Sequence, residues 1–203
     1  MISGVVLAGG GSSRAGTDKS MLTLGADPLI TWVTAAFTDF DELIISISSE
    51  SQETKYGMFI DTPHRFVLDV ERGRGPLAGL LSAVGEAEGD LVAVAPCDTP
   101  FITGELYRIL VDRAEGRPGA APRINDNWEP LIAVYERVPL QKILEKLLKA
   151  DERRLSLLCT ELDIQPVSEK EFLDAGLETE MMMNINAPED LENAVKYMAS
   201  RYG

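Results

Sequence analysis

The residues that bear most directly on chemistry form a glycine-rich loop near the start of the chain. Residues 2–8 predict a buried apolar strand, and the sequence GGGSSRAGTDK follows it directly at positions 9–19. Glycines allow main-chain N–H groups to approach phosphate oxygens without a Cβ in the way. Arg14 and Lys19 add two positive charges to the same loop. The pattern therefore favours a polyphosphate site over a loop that is merely flexible.

The spacing within this loop excludes the two commonest glycine-rich nucleotide motifs. A P-loop needs Lys directly after its second glycine, and here Thr17 follows Gly16. A dinucleotide fingerprint that begins at Gly9 needs its third glycine at the position of Arg14. The loop still follows the carboxyl end of a predicted strand, which is where open α/β sheets bind ligands. It is therefore a phosphate-binding candidate of another type.

Two carboxylates also follow predicted strands. Asp98 comes shortly after the apolar run 91–95, and Asp69 directly follows the short run 66–68. An acid at such a strand end is well placed to bind Mg²⁺, which prefers hard oxygen ligands. A role in a turn or in capping the next helix is equally open for Asp98 from the residues alone. Asp69 could accept hydrogen bonds from a guanine edge or from ribose hydroxyls, or stabilise a turn.

Two asparagines near the C-terminus form a third candidate group. Residues 181–185 predict a late strand, and Asn184 and Asn186 lie two positions apart. Residues two apart on a strand share a face, so both amides would point into the same cleft.

Taken together, these motifs resemble those of the MobA-like nucleotidyltransferases, a family of molybdenum cofactor guanylyltransferases. The loop matches in Leu7-Ala8-Gly9-Gly10, Ser12, Arg14, Gly16 and Asp18-Lys19. Three further blocks match in the same order, and they are GPLAG at 75–79, PCDTP at 96–100 and NINAPEDL at 184–191.

The sequence departs from the family pattern at three positions. Ala15 replaces a Met, Ala187 replaces a Thr that would cap the last helix, and Glu129 replaces a His or Gln. The change at Ala187 leaves Asn186 either as a metal ligand or as the substitute helix cap. The change at Glu129 lies near the side where the resemblance implies that the acceptor binds.

The resemblance implies transfer of GMP from GTP to the terminal phosphate of molybdopterin, in its molybdenum or tungsten form, with release of pyrophosphate. Lys19 would stabilise charge on the α-phosphate, Arg14 would bind the leaving pyrophosphate, and Asp98 would bind Mg²⁺, with Asn186 as a second ligand. The remaining nucleotide contacts would come from Leu7, Ala8, Gly9, Gly10, Asp69 and Gly75.

Base choice and the identity of the acceptor are less strongly indicated. The absence of a side chain at Gly9 is expected to leave room for a purine, and Arg72 and Arg74 could reach the pterin. Two alternatives remain open. One is a cytidylyltransferase or sugar-1-phosphate nucleotidyltransferase of the same fold, and the other is a GTP-binding subunit without activity.

Composition excludes several other classes of protein. The 203 residues include 19 basic and 33 acidic side chains, and a net charge of −14 argues against a nucleic-acid partner. A single histidine, His64, excludes a histidine zinc site, and Cys97 and Cys159 form no metal or redox pair. No apolar run suits a membrane span or a signal peptide, so a cytoplasmic protein is expected. Transient contacts with proteins that deliver or accept the cofactor are plausible.

The elements that must position these residues alternate between strands and helices. The predicted strands span 2–8, 43–48, 66–68, 91–95, 120–124, 131–135 and 181–185. The predicted helices span 28–37 with Asp27 as N-cap, 76–87, 104–115 with Thr103 as cap, one opened by Pro139, 154–159, and one opened by Pro188. This alternation predicts an α/β protein with a mainly parallel, doubly wound sheet and helices on both faces. With the resemblance, it implies one Rossmann-like nucleotidyltransferase domain over 1–203.

Overall fold

The computed structural model describes residues 1–9, 18–70 and 74–202. Within these ranges the strands are β1 Ile2–Leu7, β2 Thr23–Leu24, β3 Asp27–Pro28, β4 Glu42–Ile47, β5 Arg65–Leu68, β6 Leu91–Pro96, β7 Gly119–Ile124, β8 Asn127–Trp128, β9 Ala133–Glu136 and β10 Gln165–Ser168. The helices are α1 Leu29–Ala35, α2 Glu50–Tyr56, α3 Pro76–Glu86, α4 Gly104–Ala114, α5 Arg137–Lys149, α6 Ser156–Glu161, α7 Glu169–Asp174 and α8 Pro188–Tyr202. Short 3₁₀ turns cover Lys19–Met21 and Thr179–Met182.

A mainly parallel sheet forms the centre of the molecule, as the alternation of elements predicts. Its strand order is β10-β7-β9-β6-β1-β4-β5, with β8 paired to β7, and β2 and β3 form a separate hairpin. The strands that flank β1, which are β4 and β6, run parallel to it. The exception in the main order is β9, which lies antiparallel between β6 and β7.

Helices cover both faces of this sheet, which confirms the predicted α/β fold class. The apolar side chains of the strands explain why both faces are covered. On β1, Val6 packs on one face, while Val5 and Leu7 pack on the other. Such continuous apolar runs are typical of strands that are buried on both sides. The Val6 face carries α1, α2, α4, α7 and α8, and the opposite face carries α3, α5 and α6.

Two sequence predictions at element ends are wrong, and a third is confirmed. Asp27 does not cap α1, because it pairs with Leu24 in the β2–β3 hairpin and Pro28 occupies the N-cap position. Pro139 does not open α5, which begins two residues earlier at Arg137. The predicted cap at Thr103 is confirmed, since its hydroxyl accepts a hydrogen bond from the Leu106 N–H.

The predicted strand at 181–185 is also wrong, since a 3₁₀ turn over Thr179–Met182 and irregular chain replace it. Met181 and Ile185 are buried in the core, so their apolar character reflects packing and not a strand pattern. The Ile185 N–H donates a single hydrogen bond of 2.8 Å to the Asp98 carbonyl oxygen. That bond fixes the asparagine segment beside the end of β6 without a strand ladder.

The helices of the described ranges lack the combination of length and apolar character that a bilayer crossing requires.

Candidate active site

The carboxyl ends of β1, β4, β5 and β6 surround a cavity of about 340 Å³. Strand register brings the ends together, because Leu7 on β1 lies opposite Ser46 on β4 and Pro96 on β6. The polar residues that follow these strands therefore lie close together around the cavity. The predicted site residues that line this cavity are Leu7, Gly9, Lys19, Asp69, Gly75 and Asp98.

The structure does not place every other predicted site residue in the cavity. Ala8 does not line the cavity, since its side chain is buried in the core and its N–H donates to the Ser46 carbonyl at 2.9 Å. Gly10 and Arg14 lie outside the described residues, as does Arg72.

Lys19 lies between two of the predicted metal-binding side chains. Its Nζ is 4.0 Å from Asp98 Oδ2 and donates a hydrogen bond to Asn186 Oδ1. Asn186 comes from a segment 167 positions further along the chain, and the bond from the Ile185 N–H to Asp98 secures that segment. The structure thus brings together an ammonium, a carboxylate and an amide at one edge of the cavity.

Asn186 does not act as the cap of α8. The Asp190 carboxylate accepts the N–H groups of Asn186 and Ala187 at 2.8 and 2.9 Å, so a residue inside the helix closes its N-terminus. This arrangement leaves the Asn186 amide oxygen available to the site, and the alternative in which it replaces the missing Thr cap is wrong.

Burial and the nearby Lys19 ammonium act in opposite directions on the Asp98 carboxyl. Burial raises the pKa of this carboxyl, and the ammonium opposes part of that rise. The side chain is 19% exposed, so it can still contact a ligand in the cavity.

The oxygen donors here fit a magnesium ion that is held mainly by its substrate. Mg²⁺ usually takes one or two carboxylates from a protein and completes its octahedron with waters and phosphate oxygens. Asp98 and Asn186 offer one carboxylate and one amide oxygen. Among the described residues, no cluster of three or more His, Cys, Asp or Glu side chains could form a metal cage. The donor set suits a metal–nucleotide complex better than a structural ion.

Asp69 lines the cavity together with Asp98 and Asp18, and it is only 8% exposed. Its Oδ1 accepts a hydrogen bond from the Ser46 hydroxyl on the adjacent strand. A Cβ on Gly9 would overlap Asp69 Oδ2, and a Cβ on Gly79 would lie 2.6 Å from Ser46 Oγ. The position that a Gly9 Cβ would take therefore lies against the Asp69 carboxylate, and room for a purine beside Gly9 stays a prediction.

Replacing Gly9 with alanine is expected to lower the free energy of unfolding by about 1–3 kcal/mol, the usual cost of overpacking a tight site. The displaced Asp69 should also bind nucleotide less well. Urea denaturation and nucleotide titration would measure the two effects. Gly85→Ala is the matched control, since a Cβ there meets nothing within 4 Å, and in a helix it should stabilise by about 0.5–1 kcal/mol. A Gly9→Ala protein as stable as the wild type would contradict the close approach.

Gly75 and Arg74 lie at the entry to α3. Gly75 has φ +80° and ψ −170°, a conformation that disfavours other residues, and it occupies the N-cap position before Pro76. Arg74 donates to the Leu148 carbonyl at 2.7 Å and to Asp151 at 3.0 Å, both at the end of α5. Its guanidinium is thus engaged with α5, and the hypothesis that it reaches a pterin gains no support.

Sequence reasoning missed Ser46, Ser20 and Leu131 as cavity residues. Ser46 has a readable signal, because it is a polar residue near the end of an otherwise apolar strand. Leu131 lies two residues after Glu129, whose carboxyl has a pKa raised by burial.

The cysteines and the single histidine provide no competing chemistry. Burial raises the pKa of both Cys97 and Cys159 to about 12, so each thiol stays neutral. This agrees with the prediction that Cys97 acts as a small apolar residue. His64 Nδ1 lies 2.7 Å from the Thr62 carbonyl oxygen, and the imidazole packs nearly perpendicular to the Phe66 ring.

Comparison with known proteins assigns this architecture to a family. The family model described as "MobA-like NTP transferase domain" matches residues 4–163. A probable molybdenum cofactor guanylyltransferase from Pelotomaculum thermopropionicum is 35% identical, with 94% of this chain and 90% of the relative covered. Another from Bacillus cereus (strain G9842) is 28% identical over 97% of both chains.

Solved structures share the fold at lower identity. The crystal structure of molybdopterin-guanine dinucleotide biosynthesis protein A from Archaeoglobus fulgidus superposes with a TM-score of 0.81 at 24% identity, over 98% of this chain and 99% of that one. A 2-C-methyl-D-erythritol 4-phosphate cytidylyltransferase from Thermus thermophilus gives 0.72 at 18% identity, over 98% and 100%. The matched family model and the full-length relatives lead to one conclusion, that this chain belongs to the family of MobA-like NTP transferase domains.

Proposed function

We propose that this protein is a molybdenum cofactor guanylyltransferase, which transfers GMP from GTP to the terminal phosphate of molybdopterin. The observation that carries the proposal is the contact of Lys19 with both Asp98 and Asn186 at the end of the sheet. An ammonium between two oxygen donors for a metal suits a reaction whose transition state gathers charge on a phosphate. The 35% identical relative over nearly the whole chain supports the same activity.

The chemistry requires an in-line displacement at the α-phosphorus of GTP. A terminal phosphate oxygen of the pterin forms the new bond, the bond from the α-phosphorus to the bridging oxygen breaks, and pyrophosphate leaves. Such transfers depend mainly on positioning and charge stabilisation. No covalent bond to the enzyme is needed, which agrees with the neutral thiol of Cys97 in the cavity.

Lys19 would act on the charge that develops at the α-phosphate. A preorganised cation in a partly buried site stabilises such charge more strongly than water does. Asp98 and Asn186 would hold Mg²⁺, which when bound neutralises phosphate charge as a Lewis acid. Arg14 would bind the pyrophosphate.

Asp69 and the main chain would bind the nucleoside. The Asp69 carboxylate is buried, aligned by Ser46 and close to Gly9, so it offers a fixed acceptor for ribose hydroxyls or the N–H groups of guanine. Leu7, Gly9, Gly10 and Gly75 would supply the surrounding contacts. The preference for guanine rests on the resemblance of the whole motif set to the MobA-like family and on the guanylyltransferase relative at 35% identity.

Release of pyrophosphate tests this proposal. We expect release that needs Mg²⁺, GTP and molybdopterin together, with CTP inactive in a parallel reaction. Release from CTP in place of GTP would contradict the base assignment while retaining nucleotidyl transfer. Tight GTP binding without any release would instead favour a binding subunit or a different acceptor.

A further inference from the structure

The short helix α2 contacts the residue before the glycine-rich loop sequence and a residue near its end. Gln52 Nε2 donates to the Ala8 carbonyl at 3.4 Å, just before the loop sequence. The Asp18 carboxylate, near the end of that sequence, accepts hydrogen bonds from the Tyr56 hydroxyl at 2.9 Å and from Lys55 Nζ at 3.0 Å. One helix thus contacts the chain near both ends of the loop sequence.

These contacts form a directed chain of hydrogen bonds. Gln52 Oε1 accepts the N–H groups of Ser48 and Ser49 at 2.7 and 3.1 Å, which fixes its amide group. Its Nε2 then donates to the Tyr56 hydroxyl at 2.8 Å, and Tyr56 donates onward to Asp18 Oδ1. The Tyr56 side chain is fully buried, and burial raises the pKa of its hydroxyl, so it remains a donor.

This chain of hydrogen bonds ends at Asp18, the residue before Lys19. Asp18 is extended, with φ −76° and ψ 103°, and it precedes the 3₁₀ turn that Lys19 opens. The Asp18 side chain contacts α2, while the Lys19 side chain contacts Asp98 and Asn186.

We infer that Tyr56 is a positioning residue for Lys19, acting through Asp18, with Gln52 orienting its hydroxyl. The inference rests on the proposed function for its catalytic consequence. Its structural part rests on the contact of Tyr56 with Asp18, the residue before Lys19, and does not depend on the activity.

The first test is Tyr56→Phe, which keeps the ring in the core and removes only the hydroxyl. The kcat for pyrophosphate release should fall by about tenfold to a hundredfold, as small misplacements of catalytic groups do, with little change in KM for GTP. Tyr107→Phe is the matched control, because that hydroxyl is also buried and donates to the Val94 carbonyl. The Tyr107→Phe protein should lose a similar amount of stability to Tyr56→Phe and should keep the kcat of the wild type.

A double variant separates positioning from structural damage. Once Lys19 is alanine, adding Tyr56→Phe should lower kcat no further, because residues that act as a unit are not additive. Unchanged kcat in Tyr56→Phe, or full additivity in the double variant, would overturn the inference.

A second readout does not depend on turnover. Lysine acylation followed by mass spectrometry reports the accessibility of Lys19, whose side chain is 34% exposed. Its labelling rate should rise several-fold in Tyr56→Phe and stay unchanged in Tyr107→Phe. If the wild type released no pyrophosphate, the proposed function would fail, and this labelling would still decide the inference. Equal Lys19 labelling in wild type and Tyr56→Phe would overturn it.

Discussion

Lys19→Ala should lower the kcat for pyrophosphate release by about 10²–10³-fold, the usual loss when one preorganised charge-stabilising group is removed. The affinity for GTP should change much less. The reason is that Lys19 has partners within the protein, the Asp98 carboxylate and the Asn186 amide. Its expected contribution is to charge that appears only in the transition state. Pre-steady-state turnover and equilibrium nucleotide titration would measure the two quantities separately.

Lys146→Ala provides the matched control for this loss of a positive charge. Lys146 is an exposed lysine of α5 that pairs with Glu161, and it does not line the cavity. Its removal should leave kcat within twofold or so of the wild type, as for an ordinary surface ion pair. A Lys19→Ala enzyme with normal kcat would refute the role of Lys19.

Asp98→Asn should lower kcat on the order of a thousandfold and raise the Mg²⁺ concentration needed for half-maximal activity. The stabilisation that a bound metal gives to phosphate charge is worth several kcal/mol, and each 1.4 kcal/mol or so is a factor of ten in rate. The amide keeps the size of the side chain but not its charge. A magnesium titration of turnover would measure both effects, and an unchanged magnesium requirement would contradict the ligand role.

The same variant should not lose stability at neutral pH. Because burial raises the folded-state pKa of Asp98, protonation favours the folded protein, and that contribution is lost as pH rises through the folded pKa. At pH 7 the ionised carboxylate therefore destabilises the folded protein. The Asp98→Asn protein should unfold at the same temperature as the wild type or at a higher one when both are measured in EDTA. The difference in unfolding temperature between the two proteins should disappear below a pH of about 3.9, the pKa of aspartic acid in the unfolded chain. A clearly lower unfolding temperature at pH 7 would contradict this reasoning.

The central strands β1, β4 and β6 could be predicted from the sequence because burial on both faces leaves continuous apolar runs, whereas the short strands β2, β3, β8 and β10 were missed. The runs at 43–48 and 91–95 each lie within a residue or so of β4 and β6. The segment 181–185 has similar composition, but its buried Met181 and Ile185 contact the core from irregular chain. Apolar composition alone does not distinguish a strand from a segment that packs in this way.

The sequence predicted six of the residues that line the cavity, but it did not predict the contacts among the residues around it. Lys19 and Asn186 are 167 positions apart, and only the family resemblance indicated that they share a site. No local pattern shows that Gly9 leaves room for Asp69, since that requires the strand register. Tyr56 was missed because α2 is a polar helix whose one aromatic residue contacts Asp18 across 38 positions.

Transfer of an isotopic label tests the central claim most directly. GTP labelled with ³²P at the α-phosphate would be incubated with molybdopterin, Mg²⁺ and the enzyme, beside a reaction with the label at the γ-phosphate. Guanylyl transfer predicts that the α-label appears in the pterin product and the γ-label only in pyrophosphate. A γ-label on the pterin, or an α-label found only in free nucleotide, would contradict attack of the acceptor at the α-phosphorus.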